Sequence, residues 1–306
     1  MTFEKQNNYG CKNKDQLENS TRGANLGTLP TWNLSDLYSS QLAPEITEDL
    51  EKLERISNSF ARKYQNNLSS LSAKQMLECM HHQENLQLLM GRLMSFASLR
   101  YYQMTTDPSR TKFLSDIQEK ITNFSSKLVF FSLEFNTLSD KHLNNILNKS
   151  PDLSRYKPAF ARMRAFKPYQ LNDELEKFLH DQSVVGASAW NKLFDETIAG
   201  LKFKIDNNFL SLEETLDFLT DSERKKREKS AKALSKIFSE KINLFSRITN
   251  TLVKEKSIED IWRKFPEPQF SRHLSNDIEP EVVDALRNAV VDAYPITSHR
   301  YYKLKA

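Results

Sequence analysis

The chain has 306 residues, 39% of them hydrophobic, and 44 Lys and Arg against 40 Asp and Glu give a net charge of +4. Spread over this length, the bias is too thin to require nucleic acid or an anionic membrane as partner, and no window approaches the ~18 consecutive apolar residues of a membrane span. With only 6 Gly and 10 Pro, the composition points to an all-α fold of long helices on short connections.

Residues 1–29 are polar and Asn-rich and read as a disordered leader without the apolar run of a signal peptide. Cys11, in this leader, and Cys79, in an expected helix, are the only cysteines. A disulfide framework is therefore not expected, and a reducing, cytoplasmic setting fits. Order is expected from LPTWNLSDLY, where Trp32, Leu34, Leu37 and Tyr38 lay an irregular segment on a helical body.

From Pro44, Ile46, Leu50, Leu53, Ile56, Phe60 and Tyr64 trace one helical face. Ser72 caps a second helix reaching about Tyr102, with Met76, Leu77, Met80, Leu89, Leu93, Phe96 and Leu99 facing a neighbour. After the break at TTDPS, a third helix carries Phe113, Ile117, Ile121, Phe124, Leu128, Phe131 and Phe135. Three such helices in succession suggest an up-down bundle. Ser139 opens a shorter helix, and Pro151, Pro158 and Pro168 punctuate the chain beyond it. Asn172 caps one helix holding Leu175, Phe178, Leu179, Trp190, Leu193, Phe194 and Ile198, which Gly200 ends.

LKFKIDNNFLSL, near 201–210, is the strand-like piece: Leu201, Phe203 and Ile205 alternate before an Asn-Asn turn, giving one small β-hairpin at a composition shift read as a domain boundary. Ser211 and Glu214 have capping-box spacing. A long helix runs from about Ser222 to Val253, Pro266 and Pro268 interrupt, and Pro280 starts a last amphipathic helix.

The chemistry-bearing residues are sparse. None of the six histidines is followed by Glu, so H-E-x-x-H, whose two imidazoles share a helix face and grip one zinc, is absent. His81, His82 and Glu84 fall short of the four aligned donors of a closed zinc site and read as a solvated face. Cys79 lies beside Met80 and reads as a core residue. No glycine-rich phosphate loop or G-x-S-x-G elbow occurs. In SERKKREKSAK (222–232), Glu223 and Glu228 interleave the basic residues, the pattern of a solvated helix face.

Three phrases carry a resemblance: LPTWNLSDLY (29–38), SVVGASAWNKLFDETIAGLKFKI (183–205) and the run from ITNTLVKEKSIEDIWRKFPEP to HRYYKLKA (248–306). Together they resemble the oligoendopeptidase F branch of the thimet-oligopeptidase-like zinc metallopeptidases, over about residues 29–306. The resemblance implies a multi-helix, two-lobed shell around a channel that admits short peptides. Residues 30–200 would be the N-terminal helical domain and 201–306 the beginning of the catalytic domain. In a full-length member of the family, Zn2+ is held by H-E-x-x-H and a further Glu, all in the C-terminal half.

SHRYYKLKA (298–306) has no Gly, Asn or Pro to close a helix, so the chain reads as the front portion of such a peptidase. On this reading the chain by itself holds no zinc and does not cleave peptides, unless a separate C-terminal peptidase half complements it. A stand-alone helical peptide- or protein-binding module is the alternative. No catalytic or metal-binding residue carries over. Trp262, Arg263, Arg272 and His273, expected on an irregular segment, are the candidate substrate-channel contacts, weighed against a role in fastening that loop to the helices. Val282, Val283, Leu286 and Val290 are expected to stay uncovered on one side.

Overall fold

A computed structural model describes residues 30–306; the expected leader, with Cys11, lies outside the described residues. The described chain is all-α with a single hairpin. It separates into two compact units, one of Ser35–Glu196 with Asn243–Ala306, the other of Thr197–Ile242 with 30–34.

In the larger unit, α1 (Pro44–Tyr64), α2 (Ala73–Tyr102) and α3 (Pro108–Ser126) pack on one another. Proline fits the first turn of α1 and of α3, where the missing N–H has no intrahelical partner to lose. Ser72 accepts from the Gln75 amide, and Gln75 in turn accepts from the Ser72 N–H, a complete capping box for α2. Ile46, Leu50, Leu53, Phe60 and Tyr64 are buried along α1 as their spacing requires, but Ser57 takes the buried place that the periodicity gave to Ile56. On α2 the buried line runs through Met76, Cys79, Met80, Leu86, Met90, Leu93, Phe96 and Ala97, with Leu77, Leu89 and Leu99 half-buried at its flanks. Tyr38 fastens the preceding irregular segment: it is buried, its hydroxyl donates to Asp49 at 2.7 Å, and its ring meets Phe96 edge-on at 5.2 Å.

The expected third helix is two. It stops at Ser126, where Leu128 N–H closes a tight turn on the Ser125 carbonyl at 2.8 Å, and α4 (Val129–Thr137) starts in a new direction. The turn sets Phe130 and Phe131 against Phe60 at 5.9 and 5.8 Å, and Phe135 against Phe160 at 4.6 Å. Each fully buried ring stabilises the fold by roughly 1.5–3 kcal/mol. The short helices α5 (Asp140–Asn148), α6 (Pro151–Ser154) and α7 (Lys157–Ala165) come next, with Ser139 and Ser150 as caps of the first two.

The helix expected from Asn172 to Gly200 is also two: α8 (Asp173–Gln182), capped by Asn172, and α9 (Ala187–Gly200). A break at Ser183–Gly186 gives the Glu255 carboxylate room to accept from the Ala187 amide at 3.1 Å, and a side chain at position 186 would meet that carboxylate at 2.5 Å.

In the smaller unit, β1 (Phe203–Ile205) pairs antiparallel with β2 (Asn208–Leu210), Phe203 opposite Leu210 and Ile205 opposite Asn208. The two-residue loop is therefore Asp206-Asn207 rather than Asn-Asn, with Asp206 left-handed at φ 54°. α10 (Leu212–Asp217) begins with the Ser211/Glu214 capping box. The long helix α11 runs Arg224–Arg263, ten residues past the expected end at Val253. Its first part belongs to this unit: Phe238 lies 5.9 Å from buried Phe203, and the Ser230 hydroxyl donates to the Thr215 carbonyl. Within the basic run, Lys229 pairs with Asp206 at 2.6 Å and Lys232 with Glu228 at 2.6 Å. α12 (Phe270–Asn276), α13 (Pro280–Ala293) and α14 (Ser298–Lys305) complete the larger unit.

Candidate functional site

The four candidate residues are not on an irregular segment. Trp262 and Arg263 form the last turn of α11, and Arg272 and His273 lie on α12. The reason is how α11 stops. Nothing between Val253 and Arg263 breaks a helix, and the chain turns only at Lys264, left-handed at φ 60°, with the Phe265 amide reaching back to the Asp260 carbonyl at 3.0 Å.

These side chains do not converge. Trp262 is 59% exposed, Arg272 is exposed, and His273 is buried with no protein partner for its Nδ1. Arg263 turns inward and is fully engaged. Its two terminal nitrogens donate to the two oxygens of Glu176, at 2.6 and 2.9 Å, and its Nε donates to Glu259 at 2.6 Å. The Tyr169 carbonyl accepts at 3.3 Å, and the Leu171 amide also donates to Glu176, at 2.8 Å. Burial alone would raise the Glu176 carboxyl, but Arg263 and the Leu171 N–H outweigh it and hold the group below its usual range. Hydrogen bonding to Glu176 first, and to Glu259, raises the Arg263 guanidinium against its own burial. Arg263 is thus a clamp between the end of α11 and the first turn of α8. Of the two roles weighed for it, channel contact or fastening, its contacts describe fastening.

Sequence reading missed the cavity beside the clamp. A space of about 470 Å3 is lined by Asn136 of α4, Gln170, Glu176, Lys256, Glu259 and Arg263, with Met163, Phe166 and Phe265 as apolar wall. Asn136 is 6% exposed; its Nδ2 donates to Gln170 at 2.8 Å, and its Oδ1 has no partner. No local pattern marks Asn136, which lies beside Phe135 in a helix that also carries Phe130 and Phe131.

Among the described residues, two further polar side chains lie within hydrogen-bonding distance of a histidine. Ser125 Oγ and His180 Nε2 are 2.8 Å apart, and the Thr122 carbonyl, 3.1 Å from the same oxygen, competes for the hydroxyl proton. Tyr64 Oη and His82 Nδ1 are hydrogen-bonded at 2.8 Å. Cys79 is buried, and that burial pushes its thiol up to about 12, far from a reactive thiolate. Among the described residues no three His, Cys, Asp or Glu side chains are grouped to hold a metal ion, and none of their helices is long and apolar enough to cross a membrane.

Residues 134–203, from α4 through β1, match the family model described as Oligopeptidase F. The chain is 23% identical over 280 residues to the group B oligopeptidase PepB of Streptococcus agalactiae, an alignment covering 90% of this chain and 46% of that protein. Its fold is similar to the crystal structure of oligoendopeptidase-F from Enterococcus faecium, with a TM-score of 0.75 at 20% identity over 85% of this chain and 52% of that one. The chain thus spans about half the length of the relatives it matches. In sequence and fold, it carries an oligoendopeptidase F-like N-terminal portion.

Proposed function

We propose that this chain serves as the N-terminal part of an oligoendopeptidase F-like zinc peptidase that hydrolyses internal bonds of short peptides. A matching C-terminal half would supply the metal and the reacting groups. The observation that carries the reading is the coverage: a likeness over 85% of this chain accounts for only 52% of the similar structure, and H-E-x-x-H is absent from the 306 residues. Residues 30–200 then form the helical domain and 201–306 the start of the catalytic domain, in a cytoplasmic enzyme.

Zinc in such an enzyme would polarise the scissile carbonyl and lower the pKa of its bound water. The described residues offer no donor set that fits it, so no step runs through them. Their contribution is shape and surface. Val282, Leu286 and Val290 form an i, i+4, i+8 stripe on α13 that is 55%, 65% and 46% exposed, a face of the kind that a second polypeptide covers.

The test is to mix the purified chain with a matching C-terminal half and zinc and follow a quenched fluorogenic peptide. The mixture is expected to cleave it, sensitively to chelator, while this chain alone does not. Turnover by this chain alone, or a mixture that binds zinc yet never cleaves, would overturn the reading.

A further inference from the structure

We propose that the groove between α1 and α2 docks a short acidic peptide in extended form, with apolar side chains on its floor and a carboxylate at each end. The two helices run antiparallel here. At one end Tyr64 meets His82 at 2.8 Å and Lys63 meets Glu78 at 2.6 Å; at the other, Asp49 meets Arg92 at 3.1 Å. Between these ends lies a space of about 530 Å3, within the range of small-ligand sites. Phe60 and Leu86 are buried beneath it, Ile56 and Leu89 are half-buried beside them, and Leu88 is 71% exposed at the rim. This is apolar surface that a ligand can still remove from water.

Charge selects the occupant. Lys52, Lys63 and Arg92 line the groove, and no carboxylate does. Arg92 is spent on Asp49 and the Leu37 carbonyl, so it adds positive field rather than a free donor. Lys52, toward the same end, is exposed and has no ion-pair partner among the described residues. At the other end Lys63 is paired with Glu78, but both are about half-exposed. Such a pair is worth only about 0–1 kcal/mol, so Lys63 can exchange it for a ligand carboxylate. Span and lining then favour a peptide over an acyl chain. Lys52 and Lys63 lie about three turns apart on α1, roughly 16 Å, which is the reach of about five residues of extended chain. Ser59 and Asn85 stand exposed along the same walls. A ligand that covers them must replace their hydrogen bonds to water, which peptide N–H and C=O groups do and an acyl chain does not.

Both helices belong to the larger unit, so the site needs no second half and does not depend on the reading under Proposed function. The experiment is a calorimetric titration of the 306-residue chain with acetyl-Glu-Leu-Phe-Leu-Glu-amide, with its counterpart carrying Gln for Glu, and with dodecanoate. The Glu peptide is expected to bind about tenfold more tightly than the Gln peptide, a gap of ~1.4 kcal/mol, and to lose that margin as salt is raised to about 1 M. Lys52→Gln is expected to weaken the Glu peptide several-fold and leave the Gln peptide unchanged, while Leu88→Ser weakens both. Both side chains are exposed, so the melting temperature should not move. Equal binding of the two peptides, a Lys52→Gln variant that binds like the parent, dodecanoate bound more tightly than the Glu peptide, or no binding at all would each overturn the proposal. The assay involves no turnover, so its failure leaves the complementation test standing.

Discussion

Arg263 ties the end of α11 to the first turn of α8. It and Glu176 are both largely buried, with side chains 16% and 15% exposed, and their bond is bidentate. Replacing Arg263 with Met strands a buried carboxylate, and a loss of about 3 kcal/mol in urea unfolding is expected. The double variant Arg263→Met, Glu176→Leu should recover most of it, because no charge is then left alone. Acidity acts through the same pair. The folded-state pKa of Glu176 lies below its ordinary 4.5, so its contribution is complete above that pH and is lost as the pH falls through the lower folded value. The parent chain should therefore lose more stability than the double variant between neutral and strongly acidic solution. A single variant as stable as the parent would contradict the clamp. Cys79 gives a simpler test. In a Cys11→Ser background, its buried thiol should resist a thiol reagent at about pH 8 until denaturant is added; reaction in the native state would contradict the burial.

Among the elements, helix starts were legible and helix ends and breaks were not. Ser72, Ser139, Asn172 and Ser211 cap helices as read, because a cap is decided within three residues of chain. The break at Ser183–Gly186 is held by Glu255, 68 residues from Ala187. Arg263 and Glu176 are 87 residues apart, and no spacing rule reaches across such distances. The candidate site divides in the same way: Arg263 could be picked from its neighbours, but Glu176 and Asn136 acquire meaning only from the elements that fold against them. The end of α11 yields its own prediction. Lys264 stands left-handed at φ 60°, where a side chain is strained and glycine is not, so Lys264→Gly should raise stability by about 1 kcal/mol in thermal unfolding. A loss there would mean the Lys264 side chain does more than end the helix.

For the molecule as a whole, the weight falls on apolar surface that the described residues leave open. Val282, Leu286 and Val290 on α13, and Tyr301, Tyr302 and Leu304 around α14, are between 46% and 77% exposed. Changing Val282, Leu286 and Val290 together to Gln removes no core contact. Stability should stay within about 0.5 kcal/mol, while hydrophobic-dye binding and self-association by light scattering fall. An unfolding transition lost to this triple change would show that the face is already covered. Under the proposed function this is the face that a second half would cover; the relatives extend over about twice this chain's length.

The most direct measurement is a titration of this chain with a matching C-terminal half in the presence of zinc, recording dye fluorescence and cleavage of a fluorogenic peptide together. The account predicts that dye is displaced and chelator-sensitive cleavage appears at the same stoichiometry, and that the triple Gln variant needs more of the second half to reach either. Cleavage by this chain before any second half is added, or saturating association that never yields cleavage, would contradict it.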